Sequence, residues 1–184
     1  DLRNLIQEYH DGLLLFEVSK REVWDVAAAD TKGLEQWYKS HKDTYKWEKP
    51  RFKGFVFHCK NAKSAKAVNK MLKKFGEGDW RKVLKQQFNK DSVTVSVSGP
   101  YLCSQGENAT IDAYAFKTGT KVNMPKGYVM TGVSGKVMKQ PKSYLDVKAQ
   151  VTTDYQQECE KKWVEKLRKQ FTYSVNEDVL KTVK

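Results

Sequence analysis

The sequence has no long hydrophobic run. No apolar stretch approaches the roughly 18 to 20 residues that a membrane-spanning helix needs, and no charged-then-apolar leader opens the chain. The chain begins at Asp1 without Met, directly in a helical pattern, so we expect a mature form or a fragment of a longer protein. With 184 residues and 39% hydrophobic content it can bury the core of one domain or of two small ones, which argues against intrinsic disorder.

Cysteine is scarce, and no motif for a metal or a cofactor is present. Cys59, Cys103 and Cys159 form no close-spaced pair, and three thiols cannot all pair within one chain. This argues against a disulfide framework and against a cysteine zinc site, so we interpret them as small apolar residues that are buried or half-buried. A Gly-rich phosphate loop, an HExxH helix and a Ser-His-Asp set are also missing. We therefore expect neither a metal nor a cofactor.

Positive charge is abundant and unevenly distributed. The net charge is +12, and residues 49–90 alone contain 13 basic and 2 acidic side chains. Such a surface attracts nucleic acid, anionic lipid or acidic client chains. In residues 61–75, however, the lysines lie opposite an apolar stripe, as on an ordinary solvated helix, and the aromatic residues fall on the apolar side. We expect no nucleic-acid partner and keep a basic binding module as an alternative.

The N-terminal quarter of the chain has a helical periodicity. Apolar residues recur at helical spacing over residues 2–28, interrupted only by Gly12, and indicate one long amphipathic helix. Asp30 or Thr31 is placed to cap a shorter helix, which should end before Pro50 because proline pushes its predecessor toward extended geometry.

The C-terminal quarter has a second long amphipathic pattern. Ser143 and Asp146 form a capping-box signature, and apolar residues then recur every four positions to Phe171. A helix of this length needs a surface on which to pack. Because the N-terminal stripe also lacks neighbours, we expect the two terminal segments to pack together.

The middle of the chain alternates between strand and helix patterns. Its order is strand, helix, helix, strand, short helix or turn, and a final strand or hairpin whose glycines mark turns. The segments are residues 52–59, 62–75, 80–88, 92–99, 111–116 and 127–138. This order predicts an α+β fold with a small mixed sheet.

Five stretches carry a resemblance when taken in order. They are DTKGLEQWYKSHKDTYKWEKPRFKGFVFH, NAKSAKAVNKMLKKFGEGDWRKVLKQQFNKD, YAFKTG, KGYVMTGV and SYLDVKAQVTTDYQQECEKKWVEKLRKQFTYSVNEDVL. The first four resemble successive parts of a parvulin-type peptidyl-prolyl isomerase domain in the SurA, PrsA and PpiD foldases. The fifth is similar to the C-terminal helix and short tail of those proteins.

The resemblance implies a domain organisation and a place in the cell. Residues 50–142 would form a parvulin-like domain with flanking helices, inserted between residues 1–49 and 143–184, which would join into a helical, chaperone-like module. It also implies a foldase of the bacterial cell envelope, in the periplasm, that binds unfolded or proline-containing client polypeptides without a cofactor.

The histidine positions of the family are apolar in this chain. Its two histidines fall on Val56, with one residue of slack toward Phe55, and on Val129. His58 lies two residues past the first position, on the same strand face but about 6.6 Å along the strand. We therefore interpret His58 as a half-buried or exposed residue without a catalytic role.

Other site positions keep suitable chemistry under the resemblance. Asp91 falls where the family places an Asp or Cys that faces the prolyl bond, although a simple turn cap is an equal alternative for it. Ile111 and Phe116 fall where apolar residues floor the proline pocket, and Tyr128 lies in the Gly-Tyr strand segment. The stretch SVSGPYL lacks the double Gly and the Asp that the family has before its next strand.

Three functions follow from these residues. We expect an envelope foldase with weak or absent isomerase activity, because prolyl isomerisation breaks no covalent bond and an apolar pocket can already assist it. The first alternative is a fully active prolyl isomerase that uses Asp91 with His58 or Tyr128. The second is a basic module that binds nucleic acid or an anionic surface.

Overall fold

The computed structural model describes residues 2–183 and confirms the α+β fold class, with helices from both ends of the chain packed together. The helices are α1 (Leu2–Ser19), α2 (Asp25–Ala29), α3 (Thr31–Ser40), α4 (Ala65–Phe75), α5 (Trp80–Gln87), α6 (Ala109–Ile111), α7 (Lys148–Gln170) and α8 (Glu177–Leu180). The strands are β1 (Arg51–Cys59), β2 (Val95–Ser104) and β3 (Met130–Met138).

The chain forms two compact units. The helical unit comprises Asp1–Tyr45 and Lys142–Lys184, and the sheet unit comprises Lys46–Pro141. In the part of the chain that the structure describes, no helix has both the length and the apolar character to cross a membrane.

Two predicted caps shape the helical unit. A π-helical turn, Lys20–Trp24, joins α1 to α2, and Asp30 then caps α3 by accepting a hydrogen bond from the Gly33 N–H at 2.9 Å. The capping box of Ser143 and Asp146 is also present, and it begins a 3-10 turn that leads into α7. Local side-chain chemistry therefore places the start of both helices.

Polar contacts join α7 to the N-terminal helices. The Tyr155 hydroxyl donates to Asp30 Oδ2 at 2.8 Å, and Gln156 Nε2 donates to the carbonyl oxygen of Trp24 at 2.9 Å. The hydrogen bonds from the Gly33 N–H and the Tyr155 hydroxyl hold the pKa of Asp30 below its usual range. Apolar residues of the π-helical turn, α2, α3 and α7 are buried in the same unit, among them Val23, Leu34 and Val151.

The terminal segments pack together as expected, but the N-terminal stripe from Leu2 to Val18 remains uncovered. The apolar residues of α1 from Leu2 to Val18 are 46–71% exposed. The helices that α7 packs against are α2, α3 and the turn before them. At its other end α7 stops at Gln170, and Phe171 is exposed.

The sheet unit contains an antiparallel sheet of order β2-β1-β3, which corrects the expected mixed sheet. The connection from β1 to β2 contains two helices that pack on each other. A pair of helices returns the chain to the end of β1 at which it left, so β2 must run antiparallel, and Cys59 accordingly pairs with Val95.

The final segment contains one strand, and of its three glycines only Gly127 lies in a turn, as predicted. Gly132 and Gly135 both lie inside β3. A Cβ at Gly132 would overlap the Phe57 ring, and a Cβ at Gly135 would overlap the facing backbone of β1. These two glycines are needed for close packing within the sheet.

Side chains of β1 alternate between two buried faces. Phe55, Phe57 and Cys59 pack against α4 and α5, on what we call the α4 face. Phe52 and Val56 point to the opposite side and pack against the segment that contains α6, on what we call the α6 face.

Two glycines of the helical unit test the contact between Asp30 and Tyr155. A Cβ at Gly33 would overlap the Asp30 carboxylate and the Tyr155 hydroxyl, whereas a Cβ at Gly12 in α1 would meet nothing. Gly33→Ala should therefore lower the free energy of unfolding by about 1–3 kcal/mol through overpacking. Gly12→Ala should raise it by about 0.5–1 kcal/mol through helix propensity. Urea denaturation measures both, and stabilisation by Gly33→Ala would contradict the contact.

Candidate functional site

The α6 face of the sheet carries most of the predicted site residues. Its buried cluster contains Phe52, Val56, Cys103 and Ile111, with Tyr101, Ala115, Phe116 and Val133 partly buried around it. The half-buried members form an apolar and aromatic surface. A surface of this composition can hold a proline ring or another apolar side chain by contact alone.

Neither of the positions matched to the family histidines has a titratable group. Val56 is 3% exposed and lies in the centre of the sheet, paired with Ser98 on β2 and Val133 on β3. Val129 precedes β3, and its side chain is 59% exposed while its N–H donates to the carbonyl oxygen of Cys59 at 3.0 Å. Proton transfer or charge stabilisation by these two side chains is therefore excluded.

His58 is half-buried and has a hydrogen-bond partner. It points to the α6 face, paired with Ser96 on β2 and Thr131 on β3, and its Nδ1 lies 2.8 Å from Thr131 Oγ1. Its ring centroid lies 5.8 Å from that of Tyr128. Burial lowers the pKa of His58, because it disfavours the charged imidazolium. Burial therefore favours the neutral form of the ring.

Asp91 lies in the exposed connection between α5 and β2. Among the described residues, its carboxylate makes no hydrogen bond, and the alternative role as a turn cap belongs to Asn89. Asn89 Oδ1 accepts from the N–H groups of Thr94 and Val95 at 2.9 and 3.0 Å, and its Nδ2 donates to the carbonyl oxygen of Val95 at 2.7 Å. These bonds delay the start of β2 to Val95, three residues later than the alternating pattern predicted.

The three predicted substrate-binding residues differ in accessibility. Ile111 is 0% exposed, so a bound client could not touch it. It belongs to the buried cluster on which the exposed residues of the α6 face pack. Phe116 and Tyr128 are partly exposed. Phe116 also packs on the cluster of Phe52 and Val56, so this side chain connects the core to the surface.

Sequence reasoning missed Asp112, which holds the loop beside this surface. Asp112 is buried, and both of its carboxylate oxygens accept from the Gly106 N–H, at 3.0 and 3.1 Å. Asn108 caps α6 by accepting from the N–H groups of Thr110 and Ile111. Asn108 directly before a short apolar run was the available signal, whereas the role of Asp112 depends on a loop geometry that no spacing rule gives.

A second apolar surface lies on the helical unit. Nine large apolar residues of α1 are 46–71% exposed, and we call them the α1 stripe. They are Leu2, Leu5, Ile6, Tyr9, Leu13, Leu14, Leu15, Phe16 and Val18. At about 100° per residue, Leu14, Leu15 and Val18 lie on the other side of the helix from the remaining six, so α1 exposes apolar side chains on both sides, with the larger patch on one of them. Exposed apolar surface of this extent is uncommon on a folded protein and marks a place of interaction.

Comparisons with protein-family models, with curated proteins and with solved structures find no match for this chain. The resemblance to parvulin-type foldases therefore rests on the sequence motifs alone. Within residues 2–183, no group of three or more His, Cys, Asp or Glu side chains is arranged to hold a metal ion.

The burial of His58 generates a prediction about its titration. An NMR pH titration of the ring should give a midpoint below the usual value of about 6.5, because desolvation disfavours the imidazolium. Thr131→Val removes the hydroxyl but keeps the burial, so the midpoint should stay below about 6.5 in this variant also. A midpoint at or above the usual value in the wild type would contradict the described environment.

Proposed function

We propose that the chain is a parvulin-type foldase subunit of the bacterial cell envelope that binds unfolded client polypeptides, with prolyl isomerase activity that is weak or absent. The observation that carries this proposal is the α1 stripe. It supplies a long apolar surface, whereas a folded protein normally buries such a face against a neighbour.

The geometry of the α1 stripe favours unfolded chains as its ligand. Its apolar side chains extend over most of an 18-residue helix, from Leu2 to Val18. An unfolded client presents apolar side chains in no fixed arrangement, so it needs a long surface that binds by burial of area and not a shaped pocket. The exposed fractions of the nine side chains leave that area available to a client.

The α6 face supports the second half of the proposal. Val56 and Val129 occupy the positions matched to the family histidines, and burial lowers the pKa of the nearby His58, which favours its neutral form. Phe116 and Tyr128 can still contact a proline-containing segment by apolar packing. Apolar contact of this kind can assist rotation about the prolyl bond, but without the family histidines the assistance should be weak.

A working prolyl isomerase is the second candidate, and one observation favours it. His58, Thr131 and Tyr128 lie together on the α6 face, joined by the hydrogen bond and the ring contact described above. This cluster could supply a donor to the prolyl amide from a position displaced by two residues along β1. The offset of about 6.6 Å from the matched position counts against the candidate.

The α1 stripe is tested by binding of a permanently unfolded chain. The probe is fluorescently labelled, reduced and carboxymethylated α-lactalbumin, whose anisotropy reports the dissociation constant. Ile6→Gln combined with Leu13→Gln removes two exposed side chains seven residues apart on the helix. We expect roughly fivefold to tenfold weaker binding, from the loss of about 1 kcal/mol or more of apolar contact.

A matched control removes exposed apolar side chains elsewhere. Val93 and Leu145 are exposed to a similar degree but lie outside the α1 stripe. Val93→Gln combined with Leu145→Gln should leave client binding unchanged. Equal losses in the two double variants would refute the assignment to α1. A wild-type chain that fails to bind the probe as a monomer, but self-associates through Ile6 and Leu13, would assign the stripe to a second copy of the chain.

A further inference from the structure

The outer side of α4 and α5 has a dense positive charge. All ten Lys and Arg residues between positions 60 and 90 are exposed, and nine of them are lysines. We call this surface, with the turns at the ends of the two helices, the basic face. Only Glu77 and Asp79 are acidic in the same stretch, and both lie in the turn between the helices.

The charge of the basic face is not neutralised within the protein. Among the described residues, none of its ten cations forms an ion pair with a carboxylate. On the helical unit, by contrast, Lys20 pairs with Asp25 at 2.6 Å and Lys39 pairs with Glu35 at 2.8 Å. The sheet unit has 19 basic and 6 acidic side chains, a net charge of +13, whereas the helical unit has 15 and 16. The excess charge of the chain therefore belongs to the sheet unit.

The apolar residues of α4 and α5 are turned away from this surface. Val68, Leu72, Trp80 and Leu84 are buried against the α4 face of the sheet. Two rings adjoin the basic face, but each is covered by one of its own cations: Lys74 lies 5.1 Å from the centroid of the partly buried Phe75 ring, and the Arg81 guanidinium lies 4.4 Å from that of the buried Trp80 ring. The exposed part of the basic face is therefore dominated by charge, so charge is the main means of holding a ligand.

The predominance of lysine over arginine on the basic face indicates what kind of anionic ligand it binds. Lysine is a strongly hydrated point charge on a flexible stem, and it lacks the planar fork with which arginine recognises one phosphate or carboxylate. Nine lysines spread over the two helices and the turns at their ends match many mobile anions spread over an area. Lipid headgroups in a bilayer provide that arrangement, whereas an acidic peptide offers its charges along a single line.

We infer that the basic face binds the surface of an anionic lipid bilayer, by electrostatic attraction and without insertion. Each lysine near such a surface strengthens binding by about fivefold. This inference is independent of client binding, because it uses neither the α1 stripe nor the α6 face.

The experiment is sedimentation of the full chain with large unilamellar vesicles. We expect binding to vesicles of phosphatidylglycerol mixed with phosphatidylcholine, no binding to phosphatidylcholine alone, and progressive release as salt screens the charges. Lys66→Gln, Lys70→Gln and Lys73→Gln together remove three positive charges from one side of α4 while keeping its helix propensity. This triple variant should lower the partition coefficient by at least about tenfold.

A control variant removes the same charge from the same unit. Lys121→Gln, Lys126→Gln and Lys139→Gln alter exposed lysines outside α4 and α5, and this control should keep most of the binding. Equal losses in the two triple variants would show that only net charge matters and would overturn the inference.

Release by dilute inorganic phosphate would indicate a discrete phosphate site instead of a lipid surface. Tighter binding to a single-stranded oligonucleotide or to poly-glutamate than to the anionic vesicles, at equal salt, would assign the basic face to that class of ligand.

Discussion

The sheet unit depends on the two-sided burial of β1. This central strand pairs with β2 on one edge and β3 on the other, and its side chains alternate between two separate cores. A shift of one residue would exchange Phe55 and Phe57 for Val56 and His58 on the α4 face, so the register is strongly specified. The same alternation determines what the α6 face can do. It places Val56 at the centre of that face and His58 two residues further along, and no rotamer of His58 removes an offset set by the backbone.

The helical unit depends on a different constraint, the contact of α7 with α3. The Asp30 carboxylate caps α3 and accepts the Tyr155 hydroxyl of α7, so one side chain fixes both the start of a helix and its neighbour. Gly33 makes room for that contact. Burial and the hydrogen bond to Asp30 raise the pKa of Tyr155, so its hydroxyl stays protonated and able to donate. Because α7 is occupied by α2 and α3, α1 is left with its apolar side exposed.

Elements governed by local chemistry could be predicted from the sequence. The caps at Asp30 and Ser143 and the strand periodicity of β1 are as expected, because each depends on side chains a few residues apart. The prediction of a mixed sheet was wrong, since strand direction depends on how α4 and α5 return the chain to β1. The exposure of α1 was not predicted, because periodicity shows that a helix face is apolar but does not show what covers it. The burial of Ile111 and the role of Asn89 likewise depend on tertiary contacts with β1 and β2.

We propose that the α6 face binds proline-containing segments with little or no isomerisation of the prolyl bond. This proposal is tested most directly by NMR exchange spectroscopy on an X-Pro peptide at pH 7, with wild type and His58→Ala. Peptide resonances should shift on binding, cis-trans exchange should be accelerated weakly or not at all, and His58→Ala should change neither appreciably. Strong acceleration that falls by about tenfold in a folded His58→Ala variant, ~1.4 kcal/mol of barrier, would contradict the proposal.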